Sequence, residues 1–281
     1  ANTSGTGNVA VGKSSLEANT TASAVTAVGH NALVANLSGA DNTGIGKSAL
    51  QANTTGTSNT AVGKGALLAN TTGSNNCALG MDNLDANLTG EENVAIGGNN
   101  VLGANTTGDG NVAVGNQALM ANTTASHNTA VGTYALTANI TGIRNAAFGR
   151  KALYANTTGI DNTGIGCNSL MLNISGDYNT AVGQSSLDSN TTADNNTAVG
   201  YLAMGGNTTG SANVAVGKDA LLANTTGGNN TAIGESTMEA NTTGANNVAV
   251  GRGTMAANTE GDYNTAVGKA ALDANTTADG N

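Results

Sequence analysis

Small apolar residues return along this chain with a fixed beat, as T-A-V-G followed by A-L-x-A, and the stretches between them are rich in Gly, Asn, Asp, Ser and Thr. The repeating unit is seventeen residues, N-T-A-V-G-x-x-A-L-x-A-N-T-T-G-x-x. Its first glycine falls at Gly12, Gly29, Gly46, Gly63, Gly80, Gly97, Gly115, Gly132, Gly149, Gly166, Gly183, Gly200, Gly217, Gly234, Gly251 and Gly268, so there are sixteen copies. Every interval is 17 except the step from Gly97 to Gly115, which is 18 and places one inserted residue within Val101 to Gly103, where a small bulge is expected. A period this short leaves no room for a pair of packed helices, whose repeats run to about 33 residues or more. The apolar segments are short and β-permissive and the spacers are turn-formers, so each unit reads as one coil of two strands and two turns.

Stacking such coils through main-chain hydrogen bonds places equivalent residues one above another at ~4.8 Å, which predicts a rod of about 77 Å for sixteen coils. The expected fold class is all-β, a parallel β-solenoid or β-roll of about sixteen 17-residue coils, forming one continuous repeat region over 1–281. The repeat begins and ends partway through its unit, which reads as a piece of a longer fibre protein. Two rows are expected to form the core: the fourth position (Val62, Val131) and the ninth (Leu67, Leu136). The repeat glycines (Gly63, Gly132) serve turns, and Ala or Gly holds the third position, where a larger side chain would push the layers apart. Asparagine fills the twelfth position throughout, as at Asn19, Asn53, Asn122 and Asn224, and the first in fifteen coils, with Val25 the exception. Stacked amides of this kind bond along the rod and cap turn backbone. Fifteen of the twelfth-position asparagines also open an N-x-[ST] triplet, all but Asn258, so glycosylation is the competing reading of that row.

Composition sharpens the picture. Of 281 residues 41 are Gly, none is Pro or Trp, and only one is Phe, so any core is thin and made of small side chains. One Val-sized and one Leu-sized row per coil bury little apolar area against the cost of ordering the backbone, which favours association of several copies. Large residues at the thirteenth position (Leu37, Leu88, Ile140, Ile174) are expected to take part in that contact. The net charge of −9 argues against nucleic acid as a partner, because phosphate contacts need a basic surface. No apolar run approaches the ~20 residues needed to cross a bilayer.

A catalytic site needs unlike groups converging at one place, and this sequence offers the same surroundings sixteen times; the chain is read as non-catalytic, with no cofactor and no metal. His30 and His127 lie in different coils and at different repeat positions, and neither serves a shared site. Cys77 falls on the first strand, in a ladder expected to be buried, and Cys167 in the turn after it, too far apart for an internal disulfide. Acidic residues collect in turns without a calcium-loop spacing. Seven of the nine basic residues share the position after the repeat glycine, namely Lys13, Lys47, Lys64, Arg150, Lys218, Arg252 and Lys269, a stripe that reads as solubility and pairing between rows or as lateral recognition of an anionic surface.

The phrases NTAVGKGAL (Asn59 to Leu67) and NVAVGKDAL (Asn213 to Leu221) resemble the head repeats of trimeric autotransporter adhesins. The seventeen-residue unit is also similar to the repeats of phage tail fibres. The likeness spans the whole chain and implies a left-handed parallel β-roll with three chains side by side, outside the cell, on its surface or on a virion tail fibre. It implies as partners other copies of the chain, with further end-to-end or lateral assembly, and a host surface or glycan. The expected function is a structural or adhesive extracellular fibre segment, with a phage tail-fibre shaft as alternative. A third alternative is an ice- or polysaccharide-binding solenoid, prompted by Thr at the second, thirteenth and fourteenth positions; the adjacent T-T pair speaks against it, since neighbours on a strand face opposite ways.

Overall fold

The computed structural model describes residues 2–281, and the chain divides into two compact units, Ala1–Thr141 and Gly142–Asn281. The first unit carries eight strands: β1 (Val9–Val11), β2 (Thr26–Val28), β3 (Thr43–Ile45), β4 (Thr60–Val62), β5 (Cys77–Met81), β6 (Val94–Asn99), β7 (Val112–Val114) and β8 (Thr129–Val131). The second carries β9 (Ala146–Phe148), β10 (Thr163–Ile165), β11 (Thr180–Val182), β12 (Thr197–Val199), β13 (Val214–Val216), β14 (Thr231–Ile233), β15 (Val248–Val250) and β16 (Thr265–Val267). Within each unit consecutive strands pair in parallel, and the register is that of the repeat: Thr43 opposes Thr60, Gly44 opposes Ala61, Ile45 opposes Val62. The fold is therefore an all-β parallel solenoid, with one coil per seventeen residues.

Each coil holds one strand, not two. The A-L-x-A segment runs as successive turns, because the seventh and ninth residues both take positive φ; Ser48 lies at 60° and Leu50 at 52°. All sixteen ninth-position residues share this left-handed backbone, thirteen of them Leu and three Met. Any residue with a Cβ is strained there by about 1–2 kcal/mol. Burial offsets it: Leu33, Leu50, Leu67 and Leu136 have no exposed surface, and a fully buried Leu gains roughly 1.5–3 kcal/mol. The left-handed kinks aim alternate amides up and down the stack. Leu50 N–H donates to the Ala66 carbonyl of the following coil (3.0 Å), while Ser48 N–H donates to His30 of the preceding one (2.9 Å). Inter-coil bonding thus continues around the coil without strand geometry.

The strand ends at the repeat glycine, where φ is +121° to +141° in fifteen of the sixteen coils. A Cβ on Gly46 would stand 2.5 Å from the carbonyl oxygen of Gly63, one coil on, so close stacking and positive φ both exclude larger residues.

The core also differs from expectation. Side chains alternate across a strand, so with the third-position Ala pointing inward the second and fourth positions must point out. Ala61, Ala66 and Leu67 are fully buried, whereas Ile45 is 39% and Phe148 41% exposed, and Val62 and Val131 are half-buried. The interior is filled by the third, eighth and ninth positions. Cys77, at a second position, is accordingly half-buried, as is Cys167, and both thiols are free.

The inserted residue lies earlier than Val101. Register shifts opposite Leu79 to Met81, where Met81 pairs with Asn99, and Gly97 is the one repeat glycine without positive φ. Asn100 and Leu102 already have the left-handed backbone of seventh and ninth positions, so the extra residue sits in Gly97–Asn99, a flexible Gly-Gly step able to bulge. Asn83, buried in the coil before, covers the defect: its amide donates to the carbonyls of Leu79 (2.8 Å) and Gly97 (3.2 Å), and its oxygen accepts from Val101 N–H (3.0 Å).

Candidate functional site

Two asparagine rows run through the interior of each unit. At the twelfth position Asn53 Nδ2 donates to Asn36 Oδ1 (2.8 Å) and to the Gly56 carbonyl of its own turn (3.0 Å), and Asn70 repeats this with Asn53 (2.9 Å) and Gly73 (2.9 Å). Asn122 does so with Asn105 (3.0 Å) and Ala125 (2.9 Å), and Asn224 with Asn207 (2.7 Å) and Gly227 (2.9 Å). Asn19, near the start of the row, donates to Asn2 (3.1 Å) and Ala22 (3.2 Å). At the first position the amide works differently. Asn59 N–H donates to Asn42 Oδ1 (2.9 Å), and Asn59 Nδ2 reaches the Gly73 carbonyl (2.9 Å). One turn carbonyl per coil therefore accepts from both rows. A carboxylate cannot replace these amides, because each must donate and accept at once.

Outside the core three longitudinal rows are exposed. The first is apolar: Val11, Ile45 and Leu79 in the first unit, and Phe148, Ile165, Val199, Val216, Ile233 and Val267 in the second, all fourth-position residues. Thr, Val, Ala or Cys at the second position flanks them on the same strand face. The second row is the threonine corner. Thr54 and Thr71, at the thirteenth position, turn their hydroxyls back to the carbonyls of Thr71 (3.0 Å) and Leu88 (2.9 Å), leaving the fourteenth position as the solvent-facing one. Leu37, Leu88, Ile140 and Ile174 interrupt this row with exposed apolar side chains.

The third row is the basic stripe, and Lys13, Lys47, Lys64, Arg150, Lys218, Arg252 and Lys269 are all exposed. Parts of it are neutralised by neighbouring carboxylates: Lys64 with Asp82 (3.9 Å), Lys218 with Asp219 (2.9 Å) and Arg252 with Glu235 (3.2 Å). The Asp219 carboxylate holds the Lys218 ammonium above its ordinary pKa. Lys47 and Lys64 stand in adjacent coils beside a surface groove of about 500 Å³ floored by Ala52, Leu68 and Ala69. In the turn opposite, Arg144 forms a two-pronged pair with Asp161 (2.7 Å each), which pulls the Asp161 carboxyl below its usual range. Asp85 and Asp188, half-buried at the tenth position, are pushed upward by desolvation.

Among the described residues no set of three or more His, Cys, Asp or Glu side chains is arranged to hold a metal ion, and no helix is long and apolar enough to cross a membrane. The structure defines a class, the parallel β-solenoid with internal asparagine ladders. No protein-family model matches the chain, and no curated protein matches it.

The outward row was missed by sequence reasoning, although the alternation in T-A-V carries the signal: once Ala faces in, Val faces out. The left-handed Leu row left no signal, since Leu is among the residues least expected there.

Proposed function

We propose that this chain is a segment of an extracellular structural or adhesive fibre that associates side by side with copies of itself. The observation that supports this most is the unbroken fourth-position row of Val, Ile, Leu and Phe on the solvent side of the strands in each unit. An apolar row that is exposed or half-buried in every coil favours an interaction site. A face that repeats identically in every coil suits an identical partner laid alongside in parallel. Three copies is the number implied by the likeness to adhesin heads, and attachment to a surface is the role implied by the same likeness. The exposed basic stripe supplies a second, polar row for contact with an anionic surface or a neighbouring fibre.

Sedimentation equilibrium tests the association directly. The assembly is expected at three times the chain mass of 27.2 kDa. Replacing outward residues with charge, as in Val131→Asp together with Ile165→Asp, is expected to shift it to monomer while the β circular dichroism persists. A wild-type monomer across the micromolar range would refute the self-association.

A further inference from the structure

Fifteen of the sixteen twelfth-position asparagines stand in N-x-[ST] triplets. The hydroxyl residue of each triplet, at the fourteenth position, is solvent-exposed, and the fold does not demand a hydroxyl there, since Glu260 occupies the same place in its coil. The acceptor asparagine is in the opposite situation. Fourteen of those fifteen, Asn19 through Asn241, have no exposed surface, and Asn275 is half-buried. In Asn53, Asn70, Asn87, Asn122 and Asn224 both amide hydrogens are donated, one to the preceding asparagine of the row and one to the turn carbonyl of the same coil.

N-glycosylation attacks this same atom. A bond forms between Nδ2 and the sugar C1, the bond from C1 to the pyrophosphate oxygen of the lipid donor breaks, and the Nδ2 proton leaves with the lipid pyrophosphate. The product keeps one N–H where the ladder uses two, and carries a sugar in a space closed by coils stacked ~4.8 Å away. The chain offers these triplets before they are shut: a coil of seventeen residues takes roughly one to three seconds to synthesise, and a twelfth-position amide is enclosed only after its own turn and the next coil exist.

We propose that N-glycosylation of the buried twelfth-position asparagines and folding of this chain are mutually exclusive, and that it matures along a route on which no oligosaccharyltransferase meets that row before the coils close. Each modified coil loses a ladder bond and cannot seat its neighbour. This inference stands independently of the fibre reading, and it narrows the routes by which such a fibre reaches the exterior to those lacking the enzyme.

Three further N-x-[ST] triplets open at the exposed Asn2, Asn195 and Asn229 and are first removed by Ser4→Ala, Thr197→Val and Thr231→Val, giving a parent chain in which only the buried row can be modified. The test is to produce this whole parent chain in a bacterial cytoplasm without the transferase, and through a eukaryotic secretory pathway with and without an inhibitor of lipid-linked donor synthesis. Occupancy is read as glycosidase-sensitive mass, and folding as β circular dichroism with protease resistance. The cytoplasmic chain and the inhibitor-treated chain are expected to fold. The untreated secretory chain is expected to carry glycans on the twelfth-position row and to lose both the β signal and the resistance. A variant with Ala at the fourteenth position of all fifteen triplets, which keeps every ladder asparagine, is expected to fold by either route. Glycosylated chains that retain the β signal and resistance would overturn the exclusivity. An unmodified, folded parent chain from the untreated pathway, beside a fully modified control glycoprotein, would overturn the maturation claim.

Discussion

Removing one asparagine from the middle of a ladder has a cost that the geometry fixes. Asn122 is fully buried; its amide donates to Asn105 Oδ1 (3.0 Å) and Ala125 O (2.9 Å), and its oxygen accepts from Asn139 Nδ2 (3.0 Å). In Asn122→Ala the Ala125 carbonyl keeps a donor, Asn111 Nδ2 at 2.9 Å. Asn105 Oδ1 and one Asn139 N–H lose their partners and stay buried. At roughly 1–3 kcal/mol for each buried orphan the loss is about 2–6 kcal/mol. Asn122→Asp is expected to be worse at neutral pH, because a carboxylate oxygen would face Asn105 Oδ1. Guanidinium unfolding of the purified chain measures the effect, with hydrogen exchange alongside, since stacked repeats lose structure locally when one interface weakens. Protection is expected to drop first at the coils holding Asn105 and Asn139. A change under about 0.5 kcal/mol with unaltered exchange would show that the ladder amides do not hold the coils together, against the energetics assumed here.

Other expectations follow from the same geometry. Leu136→Ala empties a fully buried site and is expected to cost about 2–5 kcal/mol by chemical unfolding, with the left-handed strain unchanged because Ala keeps its Cβ. Gly46→Ala, at φ +135° with its Cβ 2.5 Å from Gly63 O, is expected to cost at least about 1–3 kcal/mol in melting experiments, since both neighbours are backbone. Asp188 is raised by desolvation, so its charged form is penalised in the folded state above the folded pKa and the penalty fades as pH falls through it. Asp188→Asn is therefore expected to stabilise at pH 7 and to be near neutral around pH 3, as read from unfolding midpoints at the two pH values.

The repeat length, parallel pairing and seventeen-residue register were readable because identical residues recur at one spacing, and stacking is how such chains close their hydrogen bonds. The asparagine rows were readable for the same reason, as polar residues that recur in every coil at the twelfth position and in all but the coil of Val25 at the first. Three features were not. Leu50 and its equivalents adopt a backbone that their propensity argues against, since inward burial and inter-coil bonding outweigh local strain, so A-L-x-A read as a strand. The fourth-position Val row read as core because apolarity was weighed before alternation, and Ala61 takes the inward place. The bulge was misplaced because Val101 departs from the repeat while the backbone departs earlier, at Gly97 to Asn99, where two glycines disguise the insertion.

The central claim is that residues seventeen apart stand one layer apart. Pulsed electron resonance between spin labels at exposed fourteenth positions of the first unit measures this, in a Cys77→Ser, Cys167→Ser background with Thr21→Cys and Thr124→Cys. Six coil steps at ~4.8 Å place the two backbone sites about 29 Å apart, and moving the first label to Thr55 is expected to shorten the distance to about 19 Å. A broad distribution beyond about 40 Å, or no change between the two pairs, would contradict stacking in register.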